Sequence, residues 1–396
     1  MKKILKRLLL ALGVLLLLFV ATAFAIPYFF KDEILAKAKE AINANLNAKV
    51  DFSDASLSMW STFPNLGLTM DSFTLEGIDA FAGVKLADVK KMTLALDFWS
   101  VWNGMDPIKI KSVTVDEPKI HVLVTKEGLA NYDVAKPTDD TSTTTTDFQI
   151  DLEDYRINNG SLIYDDASMG AYVVAKGLNH SGSGDLTAMI YDLDTKTEID
   201  SLTVTYGGMS YLSKAKTALD AIFQVDQNQS KYTLKDNDLR VNALHLQADG
   251  WVQLPDEDNV LMDLTFNAPE NDFRNLFSII PGAYLQGYEQ VKVDGKFALD
   301  GEVKGTYNAV TEKMPAFKIN IGVDNGRVKY PDLPLSIANI NAKGSIASPG
   351  SDLDQMIIDF SKFALKIGSN PIDSRFILKT PMSDPDVDAK DRKSVV

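Results

Sequence analysis

The sequence predicts a mostly β protein with an N-terminal transmembrane helix and few other helices. Three observations support this fold class: an uncharged run near the N-terminus, a long succession of short segments in which apolar and polar residues alternate, and only two later stretches with helical spacing. Residues two apart lie on the same side of a β-strand, whereas the apolar side of a helix repeats every three or four residues.

The N-terminal run covers residues 8–30, which are 23 consecutive residues without a charge. About 20 apolar residues are enough to span the hydrocarbon core of a bilayer as a helix. The basic residues before the run are expected to stay in the cytoplasm, so the rest of the chain is expected to lie on the other side of the membrane. The residues that we assign to this membrane anchor are Leu8, Leu12, Leu16, Phe19, Phe24 and Phe30.

A cleavable signal peptide is the alternative interpretation of the same run. A basic start, an apolar core and the small residues at 21–25 also describe such a peptide. The apolar character continues past that point to Phe30, which favours an uncleaved, single-pass anchor. Under either interpretation the rest of the chain is exported.

Composition excludes several classes of function. The formal net charge of −14 argues against binding to nucleic acid and against docking on anionic lipid, which both require an excess of Lys and Arg. The chain has no cysteine, so disulfides, thiolate metal sites and a cysteine nucleophile are excluded.

After the anchor, residues 31–47 have helical spacing, and from Val50 onward the period is two. We predict a meander of antiparallel strands whose clearest example alternates at Met92, Leu94, Leu96 and Phe98. The predicted turns include Glu117 with Pro118 and Glu127 with Gly128.

A polar, Thr-rich segment at residues 137–147 is typical of a flexible linker because it has nothing to bury. It separates a first β unit from a second. With the anchor and the C-terminal tail, the chain has five predicted parts. They are residues 1–30, the cytoplasmic tip and anchor; 31–136, a helix and a first β unit; 137–147, the linker; 148–390, a repeating β region; and 391–396, a tail.

Two local patterns stand out in the β region. Residues 272–280 are predicted to form a helix capped by Asn271. A weak internal repeat relates residues 158–160 and Tyr164, followed by Gly177, to residues 324–326 and Tyr330, followed by Gly344. Asn-Gly supplies the positive φ of a tight hairpin, so we expect a hairpin at each copy, although any two hairpins would share these features.

No arrangement of residues predicts catalysis, a metal site or a cofactor. His121, His180 and His245 are far apart in the sequence, and none has a second ligand at metal-binding spacing. The run of aspartates at 384–388 lacks the glycine and distal glutamate of a calcium loop. We therefore expect no catalytic residues, no metal, no cofactor and no enzymatic activity.

The abundance of one-sided strands poses a packing problem, because an apolar sheet face must be buried against something. A closed barrel, a two-sheet sandwich and a groove filled by an apolar ligand would each solve it, and periodicity does not separate them. Candidate groove residues are Met92, Leu94, Leu96, Phe98, Val122 and Val124, with packing against other protein as the alternative.

The chain resembles the AsmA family of inner-membrane-anchored envelope proteins. The resemblance rests on the basic start and anchor and on a series of short blocks in a fixed order, and it continues more loosely to Lys390. The blocks are VDF at 50–52, SLS at 56–58, FPNL at 63–66, FAG at 81–83, LDFWS at 96–100, IKI at 108–110, EPKI at 117–120 and NYD at 131–133.

The resemblance implies an elongated, twisted antiparallel sheet that forms an apolar groove, as in bridge-like lipid transfer proteins. It implies a non-enzymatic protein that binds membrane lipids, expected to be phospholipid, and supports their transport between inner and outer membrane and outer-membrane assembly. The alternative is a β-rich periplasmic scaffold or adaptor that assists assembly or targeting through contacts with outer-membrane or periplasmic proteins.

The end of the chain departs from this pattern. Relatives of this kind are longer, and residues 391–396 match what one reading frame of a widely used sequencing adapter encodes. We therefore expect these six residues to be an artefact and the native protein, of which this chain would be a truncated member, to continue past Lys390.

Overall fold

The structure is a computed structural model that describes residues 46–103, 107–134, 148–256, 258–269, 272–279, 291–308, 310–311, 313–331 and 333–391. Within those ranges, no helix combines the length and the apolar character that a membrane crossing needs. The predicted anchor, the predicted helix at 31–47 and the predicted linker at 137–147 lie outside the described residues, apart from positions 46 and 47.

The chain divides into two compact units, Met1–Ser181 and Gly182–Val396. The predicted domain boundaries, which place a linker at 137–147, stay a prediction. The first unit contains the following strands and one short helix: β1 (Lys49–Asp51), β2 (Asp54–Ser58), β3 (Leu66–Glu76), β4 (Lys85–Leu96), α1 (Phe98–Trp102), β5 (Ile108–Val124), β6 (Phe148–Asp166) and β7 (Ala171–Ser183), which ends just past the boundary.

The described strand pairs of the first unit are antiparallel, with one exception. β3, β4 and β5 pair antiparallel in order, and β1 and β2 lie along the other edge of β3. β6 pairs with β5 in parallel, so the prediction of a purely antiparallel sheet is wrong at this step. The 23 residues between Val124 and Phe148 make this possible, because a parallel pair needs a connection long enough to return to the same end.

The second unit is an antiparallel meander, in which each strand from β8 to β18 pairs with the next along the chain. Its elements are β8 (Ile190–Tyr206), β9 (Met209–Asp226), β10 (Lys231–Val241), β11 (Leu244–Gln253), β12 (Asn259–Asn267), α2 (Phe273–Phe277), β13 (Lys292–Asn308), β14 (Ala316–Lys329), β15 (Ile337–Ser348), β16 (Ile357–Ile367), β17 (Asn370–Lys379) and β18 (Asp386–Asp391). The prediction of a mostly β chain is confirmed.

Both short helices begin at an aspartate whose side chain accepts a hydrogen bond from the first turn. The helix predicted at 272–280 is α2, and its cap is Asp272, which accepts from the Arg274 N–H, where the sequence had suggested Asn271. α1 was not predicted. Asp97 accepts from the Ser100 N–H at 2.7 Å, so the strand stops at Leu96 and Phe98 opens a helix, contrary to the alternation assigned to it.

Three predicted turns lie inside strands. Glu117 adopts a positive φ of 48°, yet β5 continues through it and Pro118. Asn159 and Asn325, with φ of 49° and 52°, sit within β6 and β14, so the predicted hairpins at the repeat are wrong. A single left-handed residue distorts a strand locally without reversing it, as in a β-bulge, and Asn tolerates this conformation better than most residues.

The internal repeat itself is real in three dimensions. The Asn159 N–H donates to Oδ1 of Asn179, and Nδ2 of Asn179 donates to the Gly177 carbonyl. The second copy repeats this arrangement, because the Asn325 N–H donates to Asn341 Oδ1 and Asn341 Nδ2 donates to the carbonyl of residue 339. The counterpart of Gly177 is therefore the asparagine at 339, also at positive φ, and the glycine at 344 is not.

Candidate functional site

The register of the second unit gathers its apolar side chains on one side of the sheet, since directly paired residues on neighbouring strands share a face. One row across β12–β18 consists of Phe266, Gly301, Ile319, Ile346, Ile358, Leu378 and Val387. The adjacent row across β13–β18 consists of Leu299, Ile321, Gly344, Phe360, Phe376 and Ala389. We call these two rows the apolar face.

The large side chains of the apolar face are only partly buried. Ile319, Ile321, Ile346, Phe360 and Phe376 all keep some contact with solvent, and none belongs to the buried core. The buried apolar residues described for this unit lie outside these two rows, and one of them, Phe297 at 3% exposed, lies in the next row of β13 and β14, paired with Val323.

A small core in the second unit is covered by α2. Phe277, Val293 and Val328 form this cluster, with exposed fractions of 8%, 2% and 6%. Phe273 packs against the same cluster, and its ring meets that of Phe277 edge to face. The described helix therefore covers one end of the unit and leaves the apolar face partly exposed.

The opposite side of the same strands is polar, which defines the apolar face by contrast. Lys304 forms an ion pair with Asp263 at 2.7 Å, and Nδ2 of Asn320 donates to Asp300 at 2.7 Å. Asp300 pairs with Asn320 and lies between Leu299 and Gly301 of the apolar face, so the polar and apolar sides alternate from one residue to the next at this point of β13. A shift of the strand by one residue would therefore exchange its polar and apolar sides.

A depression of about 570 Å³ over β13–β16 involves the polar side and is a poor candidate for apolar ligands. It forms partly because Ala298 and Gly322 carry little or no side chain there. Its lining includes Lys343 and Asp359, and covering these charges with hydrocarbon would remove them from water.

Glycines allow aromatic rings to lie close to the backbone of the apolar face. A Cβ on Gly301 would lie 2.4 Å from the Phe266 ring, and a Cβ on Gly344 would lie 2.7 Å from the Phe360 ring. Phe360 also stacks on Phe376, with ring centroids 4.9 Å apart. The rings of Phe266 and Phe360 occupy the space that a side chain at Gly301 or Gly344 would need, so they lie flat against the sheet.

Four of the six residues predicted to line a groove come together in the first unit. Met92, Leu94, Leu96 and Phe98 contribute to one hydrophobic cluster, in which Leu96 has no exposed surface and the other three are partly buried. The rest of this cluster is formed by Phe52, Ala55, Leu57, Met59, Leu66, Leu68, Met70, Phe73, Val101, Ile108 and Ile110.

Val122 and Val124 lie further along β5 and do not join that cluster. Val122 is partly buried opposite Tyr164, and Val124 is 6% exposed. The lipid-binding role of all six residues stays a prediction. Sequence reasoning did not select the apolar face of the second unit, although the alternation at Ile319 and Ile321 was its visible signal.

A cluster of hydrogen bonds around Asp166 stabilises the turn between β6 and β7. The Tyr164 hydroxyl donates to Asp166 at 2.8 Å, and this hydrogen bond raises the pKa of Tyr164 to about 12. Asp166 also accepts hydrogen bonds from the Ser168 hydroxyl and from the N–H groups of Ser168 and Met169, and the Ser168 hydroxyl is the main reason that its pKa is lowered. Both carboxylate oxygens are used to hold the β6–β7 turn.

Metal chemistry finds no support in the described part of the chain, where no group of three or more His, Asp or Glu side chains is placed to hold an ion. His180 lies 3.2 Å from the Tyr155 hydroxyl, and desolvation lowers the pKa of its imidazole. The expectation that the chain is not an enzyme stays a prediction.

Comparison with known proteins identifies the family. A model of the AsmA family matches residues 1–268, which is more than half of the chain and ends just after β12. A search of curated protein sequences finds no match. The family predicted from the sequence blocks is thus confirmed: the chain belongs to the AsmA family.

Proposed function

We propose that this protein binds lipid tails on its apolar face and supports phospholipid transport between the inner and outer membrane, and with it outer-membrane assembly. The observation that carries the proposal is the partial exposure of the apolar face in the second unit, where two rows of aliphatic and aromatic side chains lie opposite a charged side. The proposed location is the bacterial inner membrane, with a cytoplasmic N-terminus and the body in the periplasm.

The energetics favour hydrocarbon as the occupant of this surface. Burying a methylene contributes about 0.8 kcal/mol, so a chain of about ten methylenes with one side covered would gain roughly 4 kcal/mol. The headgroup can stay in water because the face is open. The polar side keeps the sheet soluble through ion pairs such as Lys304 with Asp263.

Membership of the AsmA family supports the envelope setting, and the uncharged run at residues 8–30 supports the membrane anchor. The elongated groove that the family resemblance implies would extend the same surface chemistry over many strands. In this arrangement the protein contributes a path for lipid, and no covalent step is required of it.

Site-specific photocrosslinking in cells tests the proposal with a matched control. A photoreactive amino acid replaces Ile321 on the apolar face in one strain and its neighbour Asn320 on the polar side in another. We expect phospholipid adducts, detected by mass spectrometry, at position 321 and none at position 320.

The alternative function predicts a different product in the same experiment. A scaffold or adaptor that uses the apolar face for protein contacts would give protein adducts at position 321. Equal lipid labelling at both positions would contradict the proposal, because it would indicate unselective contact with membrane.

A further inference from the structure

Four strongly exposed aromatic residues occupy two segments of the first unit. Trp60 and Phe63, 72% and 61% exposed, lie between β2 and β3, and Trp99 and Trp102, 64% and 53% exposed, lie on α1. Three of the four tryptophans of the chain are in this group. We call these four residues the aromatic patch.

The core brings the two segments to the same end of the sheet. Leu66 at the start of β3 pairs with Leu96 at the end of β4. Met59 and Val101, 5% and 1% exposed, then enter the same hydrophobic cluster from the two segments. Each buried residue is adjacent in the chain to a member of the patch, so the cluster fixes where the tryptophans emerge.

Ring contacts and hydrogen bonds hold helix α1 and its two tryptophans in place. The partly buried Phe98 ring lies 5.2 Å from the Trp99 ring and 6.1 Å from the Trp102 ring, measured between centroids. The Asp97 cap and the hydrogen bond from the Lys109 N–H to the Ser100 hydroxyl hold the helix against β5. The exposed rings are therefore placed by packing.

The two segments that carry the patch contain no charged residue between 55 and 70 or between 98 and 103. Tryptophan favours the boundary between headgroups and acyl chains, where its ring is apolar and its N–H can still reach water. Uncharged segments with several exposed tryptophans have the composition of such a membrane contact.

The length of the tether allows the bilayer to reach this end. Eighteen residues separate Phe30 from Lys49. Lys49 pairs with Glu76, ten residues or about 33 Å from Leu66 along β3. Because a chain of eighteen residues can reach up to about 60 Å, its length allows the bilayer that carries the anchor to lie at the end of the sheet where the aromatic patch is.

We propose that the aromatic patch inserts into the interfacial region of the bilayer that carries the anchor, and so holds this end of the first unit against the membrane surface. The inference rests on the proposed membrane location and does not require that the protein carry lipid. It assigns Trp99 and Trp102, together with Trp60 and Phe63, to a membrane contact.

Tryptophan fluorescence of the full chain, reconstituted into vesicles, tests this contact. The vesicles contain phosphatidylcholine brominated on the acyl chains close to the headgroup, which quenches tryptophans at that depth. Trp251 is the internal control, because it pairs with Asp263 on the polar side of the second unit and its ring lies 4.3 Å from the Lys231 ammonium.

Two variants separate the fluorescence of the patch tryptophans from that of Trp251. W251F keeps the three patch tryptophans, and W60F/W99F/W102F keeps only Trp251. We expect brominated lipid to quench W251F at least about twofold more strongly than the triple variant, since only interfacial tryptophans approach the bromines. Adding L299D to W251F should leave this quenching unchanged, which separates bilayer contact from lipid bound on the apolar face.

Each other outcome overturns the inference in a distinguishable way. Equal, weak quenching of both variants in chains that float with the vesicles refutes the patch and leaves the anchor intact. Blue-shifted but unquenched emission from W251F shows that protein, such as a second copy, covers the patch. A chain that does not float with the vesicles refutes the anchor and the patch together, whereas the photocrosslinking at position 321 reports on lipid binding independently.

Discussion

Replacing a leucine by alanine should reduce stability much more in the core of the first unit than on the apolar face of the second. Leu96 has no exposed surface and packs among Leu66, Val101 and Ile108. Leu299 is partly exposed and pairs with Ile321 on a face that no described helix covers. The chemical change is identical in the two variants, so any difference in stability reflects the surroundings.

The expected magnitudes follow from transfer and cavity terms. Leu96→Ala loses the burial of its side chain and leaves a closed cavity, which should cost about 4 kcal/mol of unfolding free energy. Leu299→Ala leaves no closed cavity and loses only part of a buried surface, which should cost about 1 kcal/mol. The ratio of about four is the quantity of interest.

Hydrogen exchange on the delipidated protein measures each effect locally, because a chain with two units has no single free energy of unfolding. The amides of β3 and β4 report on Leu96, and those of β13 and β14 report on Leu299. A loss of protection at Leu299→Ala as large as that at Leu96→Ala would refute the reasoning, since it would mean that the apolar face is covered as completely as the core.

Three further predictions concern local structure. Asp166→Asn removes the carboxylate that raises the Tyr164 pKa, so a phenolate absorbance titration should place that pKa near its ordinary 10.0; an unchanged value near 12 would contradict the assignment. With the sign worked out, the hydrogen bond stabilises the fold below about pH 10 and is lost as pH rises toward 12. Gly250→Ala, at φ +124° and with a Cβ 1.9 Å from the Asp263 carbonyl oxygen, should cost at least about 3 kcal/mol and remove amide protection from β11 and β12, whereas retained protection would show that the backbone adapts. Asn325→Gly should leave the melting temperature nearly unchanged and Asn325→Val should lower stability by about 1–2 kcal/mol, because φ there is 52°; equal effects would argue against a left-handed requirement.

Local patterns were sufficient for much of the secondary structure. Alternation at Ile319 and Ile321 predicted a strand that the structure contains as β14, and the spacing around Phe273 predicted α2. These predictions succeeded because they depend on neighbours within a few residues. The family was also recognisable, since its blocks are short, local and ordered.

Prediction failed where the chain departs from regular geometry or pairs over a distance. Glu117 with Pro118 and Asn159 with Gly160 have the composition of turns, but neighbouring strands hold them in extended ladders. The Asn179 side chain, 20 residues away, satisfies the Asn159 N–H. Phe98 fitted the alternation of β4, yet the Asp97 cap redirected it into α1.

Residue patterns along the chain were enough to establish that it is mostly β, that its strands are apolar on one side, and that it belongs to the AsmA family. Which of these apolar sides are covered became visible only from the packing: Leu96, in the clearest alternating segment, is completely buried, whereas Ile321 is partly exposed. A period of two specifies which residues share a face, but it carries no information about what lies across from that face.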